Sequence, residues 1–175
     1  GAPGRYLGMP GAARRAVEER QLLAPAEGPV EVAPGLWATG PVPRRTEFES
    51  VGSSFFLDED CTRPDPMIDD QALWIETGEG LVVLLGCAHA GVINTLLAIE
   101  ALRPDVPVRA LIGGMHLGGA GERRMEATVR ALAERDLPLV APLHCTGCAA
   151  AARLAAAFPG RVEPGPVGTV WTFAA

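Results

Sequence analysis

Residues 81–99, LVVLLGCAHAGVINTLLAI, carry the pattern that decides the fold of this 175-residue chain. The run holds no Asp, Glu, Lys or Arg over a length that could cross a bilayer. However, Gly86, His89 and Asn94 interrupt its middle, where polar groups in hydrocarbon would lack partners. Because the glycines at 86 and 91 are typical of a turn, we predict a buried strand, a tight loop and a buried helix, and no membrane span.

Strand-like and helix-like segments alternate on both sides of this run. The predicted strands are two short pieces within 29–40, then 71–77, 81–85, 108–112, 139–143 and 168–173, and the predicted helices are 92–102, 122–135 and 147–158. The sequence Gly-Glu-Gly at 78–80 predicts a hairpin between the strands 71–77 and 81–85. The β-α alternation that follows implies parallel strands with crossover helices, and hence an α/β fold.

Composition narrows the classes of function. Apolar residues make up 48% and charged residues 21%, which indicates a globular domain with a real core. The net charge is −6, and the 15 basic residues, all of them Arg, form no run longer than a pair, so no nucleic-acid interface is predicted. Four Cys in a chain without an apolar secretory segment argue against a secreted disulfide framework and favour a cytoplasmic protein.

The first 28 residues differ in composition from the rest of the chain. They are rich in Gly, Pro, Ala and Arg, with at most a short helix over 12–23. We interpret 1–28 as a loop and short helix that remain from a preceding segment, because GAPGRYLGMP is typical of a loop inside a protein. Residues 29–175 then form the main domain.

All three histidines lie just beyond an apolar strand-like run. LVVLLGCAH ends at His89, RALIGGMH at His116 and LVAPLH at His144. Ligands of open α/β sheets bind beyond the carboxyl ends of the strands, so three imidazoles at that edge indicate a site more than a core. Any single buried histidine is more often structural than a ligand, and only the joint pattern favours function.

Imidazole and thiolate are ligands that zinc and related transition metals prefer, and Cys87 and His89 offer both from one loop. The pair Cys145 and Cys148 forms a C-x-x-C motif at a strand-to-helix turn, which would suit a dithiol redox module, although packing of both thiols is the more common role. Asp69-Asp70 is a possible paired carboxylate, or only a solvated loop.

The motifs GCAHAGVINT, GGMHL and PLHCTGC, together with EVAPGLWATGPVPRRTEFE and MIDDQALWIETGEGLVVL, resemble the metallo-β-lactamase superfamily. The resemblance is nearest to the branch of dihydropterin-ribofuranosylaminobenzene phosphate synthase-like metallo-hydrolases. It implies the C-terminal half of a four-layer αββα sandwich, that is, one mixed β-sheet with helices packed on one face. We then expect the alternating residues Leu81, Val83 and Leu85 to face the missing partner sheet.

The resemblance also implies roles for single residues. His144 matches the last metal-ligand histidine of the family, and the bridging metal ligand comes from the turn 86–89, as either His89 or Cys87, with His89 preferred. His116 takes the place of a histidine that contacts the phosphoryl group or protonates the leaving group. Asp70 and Gly114 are expected to contribute to substrate binding.

One departure from the family is large: members carry a His-x-His-x-Asp-His motif that supplies most of the metal ligands, and this sequence has none. The expected function is therefore the C-terminal part of a metal-dependent hydrolase, with one or two divalent ions, most simply zinc. In the complete enzyme a metal-bound hydroxide would attack a small-molecule phosphoester or related substrate. The isolated chain is expected to be inactive and to need a missing N-terminal half or a second copy.

Three other interpretations remain open. A transferase of the same branch would condense a dihydropterin diphosphate with an aminobenzene ribotide. A dithiol redox module would use Cys145 and Cys148. A non-catalytic half would pair with a separate chain or with another copy of itself.

Overall fold

The computed structural model describes residues 4–49 and 55–174. Within them lie the strands β1 (Val30–Ala33), β2 (Leu36–Ala38), β3 (Ala72–Thr77), β4 (Gly80–Leu85), β5 (Val108–Gly114) and β6 (Leu139–Leu143), and the helices α1 (Gly11–Glu19), α2 (Val92–Leu102), α3 (Glu122–Ala133) and α4 (Cys148–Ala157). A 3₁₀ turn over His144–Thr146 joins β6 to α4. No helix among the described residues is long and apolar enough to cross a membrane.

The six strands form one sheet in the order β1-β2-β3-β4-β5-β6. The strands from β1 to β4 pair antiparallel, and β4, β5 and β6 pair parallel through the crossover helices α2 and α3. Thr77 lies opposite Gly80, so the predicted hairpin forms where the Gly-Glu-Gly sequence placed it. The prediction of an α/β fold with one mixed sheet is confirmed.

The core lies between one face of the sheet and the helices. Leu81 and Val83 are 0% exposed and belong to the same cluster as Val92 and Leu96 of α2. The indoles of Trp37 and Trp74 extend this face across β2 and β3, with ring centroids 5.6 Å apart and nearly parallel planes. Burial of these side chains fixes the helices on this face, because the free energy gained is proportional to the apolar area removed from water.

The expectation that Leu81, Val83 and Leu85 face a missing sheet is wrong. Alternate residues of a strand point to opposite faces, and the helices cover the face that carries Leu81 and Val83. The opposite face is also apolar, and its residues at the centre of the sheet, Val82, Ala110 and Ala141, are buried. The other large side chains of this face are only half-buried; they are Leu73, Ile75, Leu84, Ile112, Leu139 and Leu143. Because both faces of β4 are apolar, the alternation of its residues alone does not say which face the helices cover.

The predicted strand 168–173 is also wrong. The free edge of β6 is already occupied, because the amide of Val140 donates to the carbonyl of Arg161 (2.8 Å) and the amide of Glu163 donates to the carbonyl of Val140 (3.0 Å). The last described residues therefore run as irregular chain from the β6 edge toward the β3–β4 turn, where Gly78 donates to the carbonyl of Ala174.

Residues 4–29, the described part of the chain before β1, contribute no buried residue to the core. None of the residues of α1 is buried, and the helix ends at Glu19, earlier than predicted. Gln21 adopts a left-handed backbone conformation with φ of 52°, which a continuing helix does not allow. The division of the chain into a preceding segment, 1–28, and a main domain, 29–175, stays a prediction.

Candidate metal centre and histidine cluster

The three histidine-bearing turns leave the carboxyl ends of β4, β5 and β6. Each turn holds a residue other than glycine in the left-handed region: Ala88, His116 and His144 have φ values of 51°, 48° and 48°. This conformation is uncommon for residues with a β-carbon and costs about 1–3 kcal/mol. Backbone strain of this kind concentrates at functional sites, where the surrounding structure holds it in place.

Two of these turns bring a thiol and an imidazole into contact. The Nε2 atom of His144 lies 3.1 Å from Sγ of Cys87. The thiol of Cys145, the next residue, donates to the carbonyl oxygen of Cys87 at 3.4 Å. The ligand atoms of Cys87, His144 and Cys145 all lie within 4.8 Å of one another. The ends of β4 and β6 therefore present two sulfurs and one nitrogen at a single point.

This donor set fits one transition-metal ion. With Zn–S bonds of about 2.3 Å and Zn–N bonds of about 2.0 Å, tetrahedral donors lie about 3.5–3.8 Å apart. The three ligand atoms already lie within 4.8 Å of one another, and Nε2 of His144 and Sγ of Cys87, now 3.1 Å apart, would move apart by about 0.5 Å to share one ion. His144 is exposed and the two cysteines are half-buried, so the group is open to solvent on one side. Burial, followed by the neighbouring Cys145 thiol, raises the pKa of Cys87 to about 11.

A second cluster lies on the same rim and consists of Asp70, His89 and His116. The Nδ1 atom of His89 is 3.9 Å from a carboxylate oxygen of Asp70, whose other oxygen accepts a hydrogen bond from the amide of Ala90 (2.8 Å). The rings of His89 and His116 meet edge to face, with centroids 4.6 Å apart. Phe55 packs against the outer side of His89 at 5.5 Å. Burial, and then the neighbouring His89, lower the pKa of His116.

The helix that follows the loop with Cys87 and His89 begins on the buried carboxylate of Glu49. Glu49 is 4% exposed and accepts hydrogen bonds from the amides of Ile93 (2.9 Å) and Asn94 (2.8 Å), so it caps the first turn of α2. Burial raises the pKa of Glu49 above its usual range, against these hydrogen bonds. Gly91 has φ of 110°, and a β-carbon there would lie 2.2 Å from the Glu49 carboxylate.

Gly114 allows the turns that carry Cys87 and Cys145 to approach each other. Its amide donates to the carbonyl of Gly86 at 3.1 Å. A β-carbon at 114 would lie 2.3 Å from that carbonyl oxygen and 2.8 Å from Sγ of Cys145. The last residue of β5 therefore has to be glycine for Cys145 to sit beside Cys87.

The structure thus separates the predicted site residues into two groups. Cys87 and His144 meet at the sulfur-rich cluster, while His89 joins Asp70 and His116. Gly114 lies beneath the first group. Which of these residues bind metal or substrate stays a prediction.

Two contributors are missing from the sequence prediction. Cys145 contacts Cys87 and not its C-x-x-C partner Cys148, which is exposed at the first position of α4. Its position next to His144 in PLHCTGC was the available signal. Glu49 ends the quoted motif EVAPGLWATGPVPRRTEFE, but nothing in that motif shows that its last carboxylate caps a helix 44 residues later.

Comparison with known proteins supports the same interpretation. A solved structure described as a metal-dependent hydrolase of the β-lactamase superfamily matches this chain with a TM-score of 0.74 and 30% sequence identity, over 85% of this chain and 57% of the other. An uncharacterised protein of Methanocaldococcus jannaschii is 26% identical over 153 residues, which are 87% of this chain and 56% of the relative. The similarity to the metallo-β-lactamase superfamily that the motifs predicted is confirmed.

A second relative from the same organism is 7,8-dihydropterin-6-methyl-4-(β-D-ribofuranosyl)-aminobenzene-5′-phosphate synthase, 28% identical over 124 residues, or 68% of this chain and 42% of the relative. The chain thus spans about half the length of the curated relatives that it matches. No protein-family model matches it.

Proposed function

Since the chain shares its fold with a metal-dependent hydrolase of the β-lactamase superfamily, we propose that it forms part of such an enzyme and carries one side of its metal centre. The observation that supports this most strongly is the 3.1 Å contact between His144 and Cys87 at the ends of β4 and β6. Both residues lie where open α/β sheets bind their ligands. His144 is exposed, whereas a histidine with a purely structural role is usually buried and hydrogen-bonded within the core.

Cys87 and His144 would hold a divalent ion, which we propose is zinc, because sulfur and imidazole donors suit zinc better than magnesium or calcium. When bound, the metal would lower the pKa of a coordinated water and polarise the bond to be broken. The two side chains would also fix the ends of β4 and β6 relative to each other, with Gly114 of β5 between them.

The histidine cluster would handle the substrate. His116 would donate a hydrogen bond or a proton to an oxygen of a phosphoester, either the phosphoryl oxygen or the leaving group. His89 packs edge to face on His116 and would hold that ring in position. A carboxylate oxygen of Asp70 lies 3.9 Å from Nδ1 of His89, and its other oxygen is held by the amide of Ala90, so Asp70 would orient the cluster and contact the substrate only through it.

A second candidate function is a synthase. The relative named as a dihydropterin-ribofuranosylaminobenzene phosphate synthase is 28% identical to this chain, close to the identity of the hydrolase structure. The same metal and the same histidines could assist the loss of diphosphate from a pterin substrate. Product analysis with a phosphodiester and with a pterin diphosphate separates the two functions.

The complete catalytic unit would need ligands from outside these 175 residues. The sequence contains only three histidines and no His-x-His-x-Asp-His motif, and the described donors number three at the cluster. We propose that a preceding part of the same polypeptide or a second copy supplies the rest. A cytoplasmic location would keep all four cysteines, which are free, in the reduced state.

Metal binding tests this proposal, because it does not require a complete active site. The chain with added zinc is dialysed and analysed for bound metal, beside H144A, C87A and, as a matched control, C61A, which removes an exposed cysteine elsewhere. We expect zinc in the wild type and the control and its loss from the other two. Zinc bound equally by all four proteins would overturn the proposal.

Hydrolysis of bis(4-nitrophenyl) phosphate is then measured with the same proteins. We expect no turnover by the 175-residue chain alone and turnover in a polypeptide or complex that restores the missing ligands. In that restored enzyme, H116A should retain the metal and lose most of its turnover. Efficient hydrolysis by the chain alone would show that no further ligands are needed.

A further inference from the structure

We propose that Cys145 is a third metal ligand, so that this chain holds the ion through two sulfurs and one imidazole. The inference rests on the proposed function, which needs only Cys87 and His144, and it goes further in naming the donor set and the class of metal. It follows from the positions of three side chains that the topology brings together from β4 and β6.

Two hydrogen bonds hold the 3₁₀ turn that carries Cys145. Its carbonyl accepts a hydrogen bond from Gly118 at 3.1 Å, and the hydroxyl of the fully buried Thr146 accepts one from the amide of Met115 at 3.1 Å. Both bonds come from the loop that follows β5. The backbone around Cys145 is therefore fixed to its neighbour strand before any ligand binds.

The left-handed conformation of His144 explains how consecutive residues reach the same point. In an extended chain, adjacent side chains point to opposite sides. With φ of 48° at His144, the chain turns sharply, and both His144 and Cys145 contact Cys87. A turn that only ended the strand would not need this strained conformation at a residue with a β-carbon.

Space for the third ligand comes from Gly114. A β-carbon at that position would lie 2.8 Å from Sγ of Cys145 and would push the thiol away from Cys87. In the present arrangement the thiol donates to the Cys87 carbonyl. On metal binding, that thiol would give up its proton to solvent, and its sulfur would bond to the ion.

Two sulfurs and one nitrogen select the metal by chemical softness. Thiolate and imidazole favour zinc, cobalt and cadmium, whereas magnesium, calcium and manganese prefer carboxylate, carbonyl and water oxygens. Three protein donors also leave one position of a tetrahedral ion open, which is the arrangement of catalytic zinc. The metal of this centre is therefore expected to be zinc and not magnesium or manganese.

Cobalt(II) provides a direct count of the sulfurs, because each thiolate bound to it adds charge-transfer absorption in the near ultraviolet. The experiment titrates cobalt into the wild type, C145A and C148A. Cys148 is the matched control, since it lies three residues further on and is exposed. If the two cysteines acted together as a C-x-x-C pair, C145A and C148A would have the same effect. We expect C148A to match the wild type, and C145A to lose about half of the charge-transfer intensity and to bind at least about tenfold more weakly.

Thiol labelling of the wild type tests the same point without a substitution. The chain is treated with iodoacetamide, with and without zinc, and the modified cysteines are identified by mass spectrometry. We expect zinc to protect Cys87 and Cys145 and to leave Cys61 and Cys148 reactive. Magnesium at the same concentration should protect none of them.

The failure of this inference differs from the failure of the proposed function. If C145A matches C148A in spectrum and affinity, and Cys145 stays reactive with zinc, the third ligand is refuted while binding by Cys87 and His144 stands. If H144A and C87A also bind cobalt like the wild type, the proposed function fails as well.

Discussion

Nε2 of His144 lies 3.1 Å from Sγ of Cys87, although 57 residues separate them in the sequence. The two residues leave β6 and β4, which are not neighbours, since β5 lies between them. The contact is possible because β5 ends in Gly113 and Gly114, where the turns can close over the strand without meeting a side chain. A ligand bound at this point would tie the ends of β4 and β6 together across β5.

Zinc is therefore expected to stabilise the fold. A ligand at 100 times its dissociation constant adds about 2.7 kcal/mol to the free energy of unfolding if it binds only the folded state. For a domain of this size, that raises Tm by about 5–10 °C. Thermal unfolding followed by circular dichroism should show the rise for the wild type, its reversal by EDTA, and none for H144A. An equal rise in H144A would place the zinc elsewhere.

Substitution of Gly114 should weaken the proposed metal centre, although Gly114 itself supplies no ligand atom. The β-carbon of G114A would lie 2.3 Å from the Gly86 carbonyl and 2.8 Å from Sγ of Cys145, so the two turns must move apart. We expect zinc affinity to fall by about 10- to 100-fold, as for other changes that misplace metal ligands. G86A is the matched control, because a β-carbon at position 86 meets nothing within 4 Å. Isothermal titration calorimetry measures both, and equal affinities would contradict the role given to Gly114.

Removal of the Glu49 carboxylate should destabilise the loop that carries Cys87 and His89. E49A leaves the amides of Ile93 and Asn94 without their acceptor in a buried position, at a cost of about 1–3 kcal/mol in the free energy of unfolding. E47A removes an exposed carboxylate from the same segment and should change it by less than about 0.5 kcal/mol. Urea unfolding measures the difference, and a loss in E47A as large as in E49A would refute the capping role.

The same carboxylate predicts a pH dependence. Burial raises the pKa of Glu49 above its ordinary value of 4.5, although Arg124 and the hydrogen bonds from α2 and Thr46 act in the other direction. A raised pKa in the folded state means that the folded protein binds the proton more tightly, so its contribution is present below the unfolded pKa and is lost as pH rises through the folded pKa. The stability of the wild type relative to E49Q should therefore be greater near about pH 4 than near about pH 7. A constant difference in urea unfolding would contradict the shift.

Local patterns in the sequence predict most of this fold and the rim of the site. The Gly-Glu-Gly turn, the apolar runs and the position of each histidine after a strand depend on neighbouring residues, and these features appear where expected. The pairing of Cys145 with Cys87, and the cap that Glu49 provides, depend on residues 58 and 44 positions apart. The first contact requires that β5 lie between β4 and β6, and the second requires that the loop before β3 pack under α2. Local sequence patterns predict neither arrangement.

The choice between the two sheet faces is the clearest case of this limit, and it can be tested at two adjacent residues of β5. Leu111 is 0% exposed beneath the helices, whereas Ile112 is half-buried on the opposite face. L111A should lower the free energy of unfolding by about 2–5 kcal/mol, because it leaves a cavity in a closed core. I112A removes a side chain that is still partly in water, and it should cost about 1 kcal/mol. Urea unfolding of both variants distinguishes the faces. Equal losses would mean that the face of Ile112 is covered as completely as the helix side, and would contradict the half-buried position of this residue.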